Sequence, residues 1–146
     1  MSVTAGSHTT RSDDETAALG RALAADLAPG AWIVLTGPLG AGKTAFVRGL
    51  AAGLGIDPGR IHSPTFTLVS EHPGARPLAH VDLYRVERRG ELAELGLDDL
   101  MERGLHVAVE WGERLPDEYR DGAWTVAIAP GAADERRIEI LPPGLK

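Results

Sequence analysis

The run Gly37-Pro38-Leu39-Gly40-Ala41-Gly42-Lys43-Thr44 sets three glycines, a lysine and a hydroxyl at the spacing G-x-x-x-x-G-K-[ST]. Residues of these types in this order can cradle phosphate. The glycines let backbone N–H groups approach phosphate oxygens, the following helix N-terminus supplies positive potential, Lys43 adds a point charge, and the Thr44 hydroxyl can reach magnesium. The run also lies where such chemistry needs it, between the strand-like "AWIVLT" and the helix-like "AFVRGLAAGLG". Lysine usage sharpens the reading. Thirteen of the fifteen basic residues are arginine, and the only lysines are Lys43 and Lys146. A compact ammonium fits inside a phosphate loop, whereas a planar guanidinium fork does not. The chain has no asparagine and no glutamine. That excludes an Asn-Lys-x-Asp guanine reader and a glutamine that orients attacking water, and favours ATP by elimination.

Magnesium needs further oxygen ligands, commonly reached from an acid at a strand's end. Two acids qualify, Asp82 in "AHVDLYR" and Glu110 in "HVAVEW". Asp82 is expected to be followed by more strand, while Glu110 closes an apolar run, where α/β sheets place their sites. Thr65 in "SPTF" is either a hydroxyl that senses the γ-phosphate or a plain strand start. Trp111 is core or pocket wall. The five histidines lack metal-ligand spacing, and His80, two residues before Asp82 on a strand, shares that acid's face and supports it or the core. Arg85, Arg88 and Arg89 form either a solvated face or a docking patch.

These residues need a scaffold, and the pattern supplies an α/β one. "SDDE" reads as a capping box with Ser12 as N-cap, and Leu19, Leu23 and Leu27 follow at helical spacing to an end near Pro29-Gly30. After the loop, Phe46, Val47, Leu50, Ala51 and Leu54 mark the buried stripe of a helix closing at Gly55. "SPTFTLVSEH" and "PLAHVDLYR" read as two strands joined around Pro73-Gly74; "ELAELGLDDLMERG" reads as a helix broken near Gly96. "LHVAVEW" is a buried strand, and "AWTVAIAP" and "RRIEILPP" give an antiparallel finish. The expectation is a single P-loop domain over residues 12–146, with a mixed sheet, helices on both faces and antiparallel C-terminal strands. Residues 1–11 are expected to be a frayed lead-in.

Composition narrows the function classes. With 146 residues the chain can bury a core without staples, and it has no cysteine, which fits a reducing compartment. No apolar run approaches a membrane span, and the N-terminus has no apolar signal region, so a soluble cytoplasmic protein is expected. A net charge of −6 argues against a wide nucleic-acid footprint. Any RNA is expected to be held by a partner.

The segments "ETAALGRALA", "GPLGAGKTAFVRGLAAGLGI", "HSPTFTLVSEH", "HVDLYRV", "ELAELGLDDL" and "VAVEWGERLP" together resemble the TsaE (YjeE) family. That family is the P-loop ATPase of bacterial tRNA threonylcarbamoyladenosine biosynthesis, and the resemblance spans roughly residues 14–142. It implies ATP and Mg2+ as ligands, TsaB and TsaD as partners, contact with tRNA only through that complex, and hydrolysis that supports the complex's repeated turnover. Position by position, it implies a nucleotide loop at Gly37 to Thr44, a switch threonine at Thr65, a Walker B-like acid at Asp82, and a second essential acid at Glu110 beside Trp111. Lys43, Asp82 and Glu110 are thus the catalytic candidates, and Thr44, Asp82 and Glu110 the metal candidates. Two departures are Pro38, where the family usually has an acid, and His72, where it usually has an aromatic. Pro38 removes one backbone N–H early in the loop. The competing classes are a small-molecule P-loop kinase, which needs an acceptor pocket, and an ATP-sensing scaffold without hydrolysis.

Overall fold

The computed structural model describes residues 4–38, 40–62 and 68–144, with Arg89 described by its backbone alone. Expectations that fall on Leu39 and on Ser63, Pro64 and Thr65 lie outside the described residues.

The Ser12 hydroxyl accepts from the Glu15 N–H at 3.1 Å and opens helix α1, Asp13–Ala24. Glu15 reaches back as expected, but to the N–H of Arg11 rather than of Ser12, at 3.1 Å. The helix stops at Ala24, short of Pro29-Gly30. There the N–H groups of Ala25, Asp26 and Leu27 bond to carbonyls three residues back, which tightens the final turn. Leu27 still reaches the core.

Strand β2, Trp32–Thr36, leads into the glycine loop and helix α2, Lys43–Gly53. A short 3-10 turn at Pro58–Arg60 follows, then strands β3, Val69–His72, and β4, Leu78–Asp82. Helices α3, Arg89–Ala93, and α4, Leu97–Glu102, are two pieces broken at Gly96, whose φ of 75° suits a residue without a side chain. Strand β5, His106–Glu110, a 3-10 turn at Gly112–Arg114, helix α5, Asp117–Arg120, and strands β6, Trp124–Pro130, and β7, Arg136–Leu141, complete the order.

Residues 6–10 correct the expectation of a frayed lead-in. Gly6–Thr10 is strand β1, antiparallel to β7, with Gly6 opposite Ile140 and Thr10 opposite Arg136. Its hydroxyl-rich sequence carries no apolar alternation, so backbone pairing and one buried end hold it. Thr10 Oγ1 meets Thr16 Oγ1 at 2.8 Å inside the protein.

Among the described residues the strands form one mixed sheet in the order β1-β7-β6-β2-β5-β4-β3. The β6-β2-β5-β4 centre is parallel; β3 and the β7-β1 pair are antiparallel. Period-2 alternation divides the side chains between two cores. Ile33, Leu35, Leu78 and Ala108 join α1 and α2 on one face; Trp32, Val34, Val81, Val107 and Val109 join α3 and α4 on the other. Both faces are covered, as the continuous apolar runs of β2 and β5 require.

The helix pair α1–α2 is packed closely enough to need glycine at the contact. A Cβ on Gly20 would lie 2.2 Å from the Phe46 carbonyl oxygen, and one on Gly49 would lie 1.7 Å from that of Ala17. This approach brings the first turn of α1 beside the glycine loop. Among the described residues no helix is long and apolar enough to cross a membrane.

Candidate functional site

The two acids come together because of strand register. Asp82 and Glu110 are the last residues of β4 and β5 and stand opposite each other in a parallel pair. Even-numbered Leu78, His80 and Asp82 on β4, and His106, Ala108 and Glu110 on β5, share the sheet face on which α2 lies. Both acids therefore face the start of α2. The expected continuation of β4 past Asp82 is corrected. Asp82 Oδ1 accepts from the Tyr84 N–H at 2.9 Å, and a turn replaces the strand.

In the loop, Gly37, Gly40 and Gly42 have φ of 142°, 78° and 106°, values that a side chain would strain. A Cβ on Gly37 would also lie 2.3 Å from the Ile128 carbonyl oxygen on β6. The loop is thus wedged against the sheet and turned by its glycines. Pro38 fits the bend, its carbonyl accepting from the Ala41 N–H at 3.1 Å. The Lys43 ammonium donates to the carbonyls of Gly37 at 2.5 Å and Pro38 at 2.9 Å.

Trp111 covers Lys43, with the ammonium 4.1 Å from its ring centroid. Burial lowers the Lys43 pKa, and the negative charges of Glu110, Glu113 and Asp82 oppose that shift. Trp111 adopts φ of 60°, an uncommon conformation for a bulky residue. Gly112 explains the backbone on its far side, since a Cβ there would lie 2.0 Å from Val34 Cγ1. The chain turns sharply between the buried acid and the sheet, and the indole swings over the loop.

Thr44 Oγ1 lies 3.1 Å from both Glu110 oxygens and donates to that carboxylate. His80 Nε2 lies 2.5 Å from Glu110 Oε2. His80 is fully buried and its Nδ1 has no partner among the described residues, so the tautomer that satisfies the contact carries its proton on Nε2. Glu110 is held from both sides.

Around these groups lies a cavity of about 450 Å³. Of the residues expected from sequence, Gly40, Gly42, Lys43, Thr44, Asp82, Glu110 and Trp111 line it. The Gly37 and Pro38 carbonyls hold Lys43, and Ala41 is buried in the core beneath. Leu39 and Thr65 lie outside the described residues.

The cavity also has walls that sequence reasoning missed: Asp13, Arg48, Leu68, Tyr84 and Arg85. Asp13 reads as an ordinary first-turn acid of α1, and only the α1–α2 approach brings it here. Arg136 on β7 pairs with it at 2.6 Å and donates to Thr16 at 3.1 Å. Arg85 sits in a charge run that suggests a solvated face. Arg114, absent from the expected site, donates from one Nη1 to the carbonyls of Leu83 and Val86, each at 3.1 Å, and to that of Tyr84.

Among the described residues no group of three or more His, Cys, Asp or Glu side chains could enclose a metal. The donors in place are one hydroxyl and two carboxylates, all oxygen. That set suits a hard cation that keeps waters and takes its remaining ligands from phosphate.

The family model described as threonylcarbamoyl adenosine biosynthesis protein TsaE matches residues 10–138. A tRNA threonylcarbamoyladenosine biosynthesis protein TsaE of Bacillus subtilis is 38% identical over 132 residues, covering 90% of this chain and 82% of the relative. The TsaE protein of Treponema pallidum is 37% identical, with 89% and 96% covered, and that of a Nostoc strain 42%, with 88% and 81%. The crystal structure of Bacillus subtilis YdiB superposes with a TM-score of 0.76 at 32% identity, covering 94% of this chain and 85% of that one. The mixed sheet, the wedged glycine loop and the match over most of the sequence lead to one assignment: this chain belongs to the TsaE family.

Proposed function

We propose that this protein is a magnesium-dependent ATPase that acts with the TsaB–TsaD complex in forming threonylcarbamoyladenosine in tRNA, its hydrolysis supporting that complex's repeated turnover. The observation that carries the reading is the Thr44–Glu110 contact with Asp82 alongside, set against the glycine loop and Lys43. A hydroxyl at the start of the loop's helix and an acid at the end of a neighbouring parallel strand are the protein's share of a magnesium–triphosphate site.

The loop's N–H groups and the α2 N-terminus bind phosphate oxygens, and Lys43 exchanges its loop carbonyls for the β and γ oxygens. Thr44 and Asp82 would hold magnesium, which when bound neutralises charge on the phosphates. Glu110 sits on the γ-phosphate side and orients water, with His80 fixing its carboxylate. Thr65 serves as the switch hydroxyl, and Trp111 closes the site over Lys43.

Supporting the choice of ATP is the lack of any asparagine or glutamine, and supporting indirect contact with tRNA is the net charge of −6. The test is ATP turnover of the chain alone and with TsaB–TsaD from the same source, with phosphate release as readout. Slow basal hydrolysis raised by the pair is expected. Phosphate moving to a small acceptor would make it a kinase, and ATP binding without turnover a scaffold.

A further inference from the structure

The turn after β4 is anchored by buried Leu83 and Val86, with Tyr84 and Arg85 exposed between them. Asp82 Oδ1 accepts from the Tyr84 N–H, the Leu83 N–H donates to the Glu110 carbonyl at 3.2 Å, and the Val86 N–H donates to the Leu83 carbonyl at 3.0 Å. Arg114 Nη1 shares its two N–H groups among the carbonyls of Leu83, Tyr84 and Val86. Its guanidinium carbon lies 5.7 Å from the Trp111 ring centroid and 6.0 Å from that of Tyr84, and those two rings are 5.0 Å apart. One arginine thus locks the turn to the segment that carries Glu110 and Trp111.

What this turn presents to the cavity is Arg85. Its side chain is exposed, lines the same cavity as Lys43, Asp82 and Glu110, and makes no hydrogen bond or ion pair with any described residue. The neighbouring acids are engaged elsewhere: Asp82 with the Tyr84 N–H, Glu110 with Thr44 and His80. A guanidinium in a charged cavity, on a held backbone and without a carboxylate partner among the described residues, is placed to meet an anion.

Resting on the ATPase reading, we propose that Arg85 is a catalytic residue of this site, supplying from the same chain the second cation that faces the transferring phosphoryl group, and that Arg114 is the positioning residue that holds it there. In hydrolysis the water oxygen bonds to the γ-phosphorus, while the bond from that phosphorus to the β–γ bridging oxygen breaks. The bridging oxygen keeps the electron pair, ADP and phosphate leave, and the proton from water passes to the phosphate or solvent. Charge grows on the bridging and γ oxygens, where a guanidinium carried on a held backbone stabilises the transition state more than bound ATP. On this reading Arg85 belongs neither to a solvated face nor to a docking patch, the two readings open for "YRVERR", and joins the chemistry.

The experiment compares wild type, Arg85→Ala, Arg85→Lys, Arg114→Ala and Arg88→Ala. Single-turnover hydrolysis is measured beside calorimetric affinity for a non-hydrolysable ATP analogue and for ADP with aluminium fluoride. Arg85→Ala is expected to lower the rate by ~100-fold and to lose aluminium fluoride affinity in proportion, with analogue affinity nearly unchanged. Arg85→Lys should recover part of both, and Arg114→Ala should shift both readouts the same way with the fold intact by circular dichroism. Arg88→Ala should match wild type. Equal loss of analogue and aluminium fluoride affinity in Arg85→Ala would overturn the catalytic role in favour of simple binding. An effect seen only as lost stimulation by TsaB–TsaD would overturn it in favour of docking. A wild-type chain that binds no nucleotide would overturn the ATPase reading, and this proposal with it.

Discussion

Lys43 is 5% exposed, in contact with two loop carbonyls and an indole face, and it is one of only two lysines. Every feature of that pocket suits a slim ammonium. Lys43→Ala is expected to weaken ATP binding by roughly 100-fold, about the 3 kcal/mol of a strong charge-assisted hydrogen bond. Lys43→Arg should fail as well, because the planar fork cannot enter between the Gly37 and Pro38 carbonyls and Trp111. Calorimetry on both variants checks this, and an Arg variant with full affinity would remove the steric argument. His80 gives a second test at this scale. His80→Leu removes the donor to Glu110 Oε2 and is expected to leave ATP affinity in place while turnover falls, with His80→Gln restoring part of the loss through its amide N–H. Equal turnover in wild type and His80→Leu would reduce His80 to packing. That the loop and the two acids would share one site was legible in the sequence from residue type and spacing, whereas Trp111, read as core or pocket wall, was placed beside Glu110 at that site by the family resemblance. Arg114 was not, because its role is to bind three carbonyls of a turn about thirty residues earlier, and no local pattern encodes that.

At the scale of elements, the legible part was what periodicity writes. The stripe of α2, the break at Gly96 and the buried strands β2 and β5 follow from apolar spacing and glycine. Strand β1 escaped because "GSHTT" has no apolar alternation, and its pairing with β7 lies at the far end of the chain. The end of β4 at Asp82 escaped because the Asp82 side chain turns the chain by a bond to the Tyr84 N–H that apolar periodicity does not record, and because the arginine that holds the turn lies about thirty residues later. Glycines inside helices are easily read as weak points, yet Gly49 is where α2 meets the backbone of α1. A Cβ there would sit 1.7 Å from the Ala17 carbonyl oxygen, so Gly49→Ala must push the helices apart despite its better helix propensity. The expected cost is ~3 kcal/mol of stability, the upper end for overpacking, read as a lower urea midpoint. Since α1 also carries Asp13 to the cavity, ATP affinity should fall with it. A variant as stable as wild type would mean that the helix contact is loose in solution.

For the whole molecule, the question is what a site with two acids and no glutamine can do alone. Positioning and charge stabilisation supply nearly all of phosphoryl-transfer catalysis, so a site with few groups to position water should hold ATP well and turn it over slowly. The cavity opens beside Tyr84, which is 46% exposed although its ring packs on Trp111, and Trp111 in turn covers Lys43. A partner seated on that aromatic edge would touch the same groups that the proposed function sets against the γ-phosphate. Nucleotide state and partner binding should then be coupled, and a coupling free energy acts equally in both directions. The expected outcome is tighter association with TsaB–TsaD in the presence of a non-hydrolysable ATP analogue than with ADP, and, reciprocally, tighter analogue binding in the presence of the pair. Tyr84→Ala should weaken the association in both nucleotide states, since it removes contact area. Thr65→Ala should weaken the preference for the ATP state more than it weakens ATP binding. Sedimentation with each nucleotide and titration of the analogue with and without the pair measure the two sides of the cycle. Equal affinity of the pair for both nucleotide states, with turnover unaffected by it, would mean that the site works independently of TsaB–TsaD.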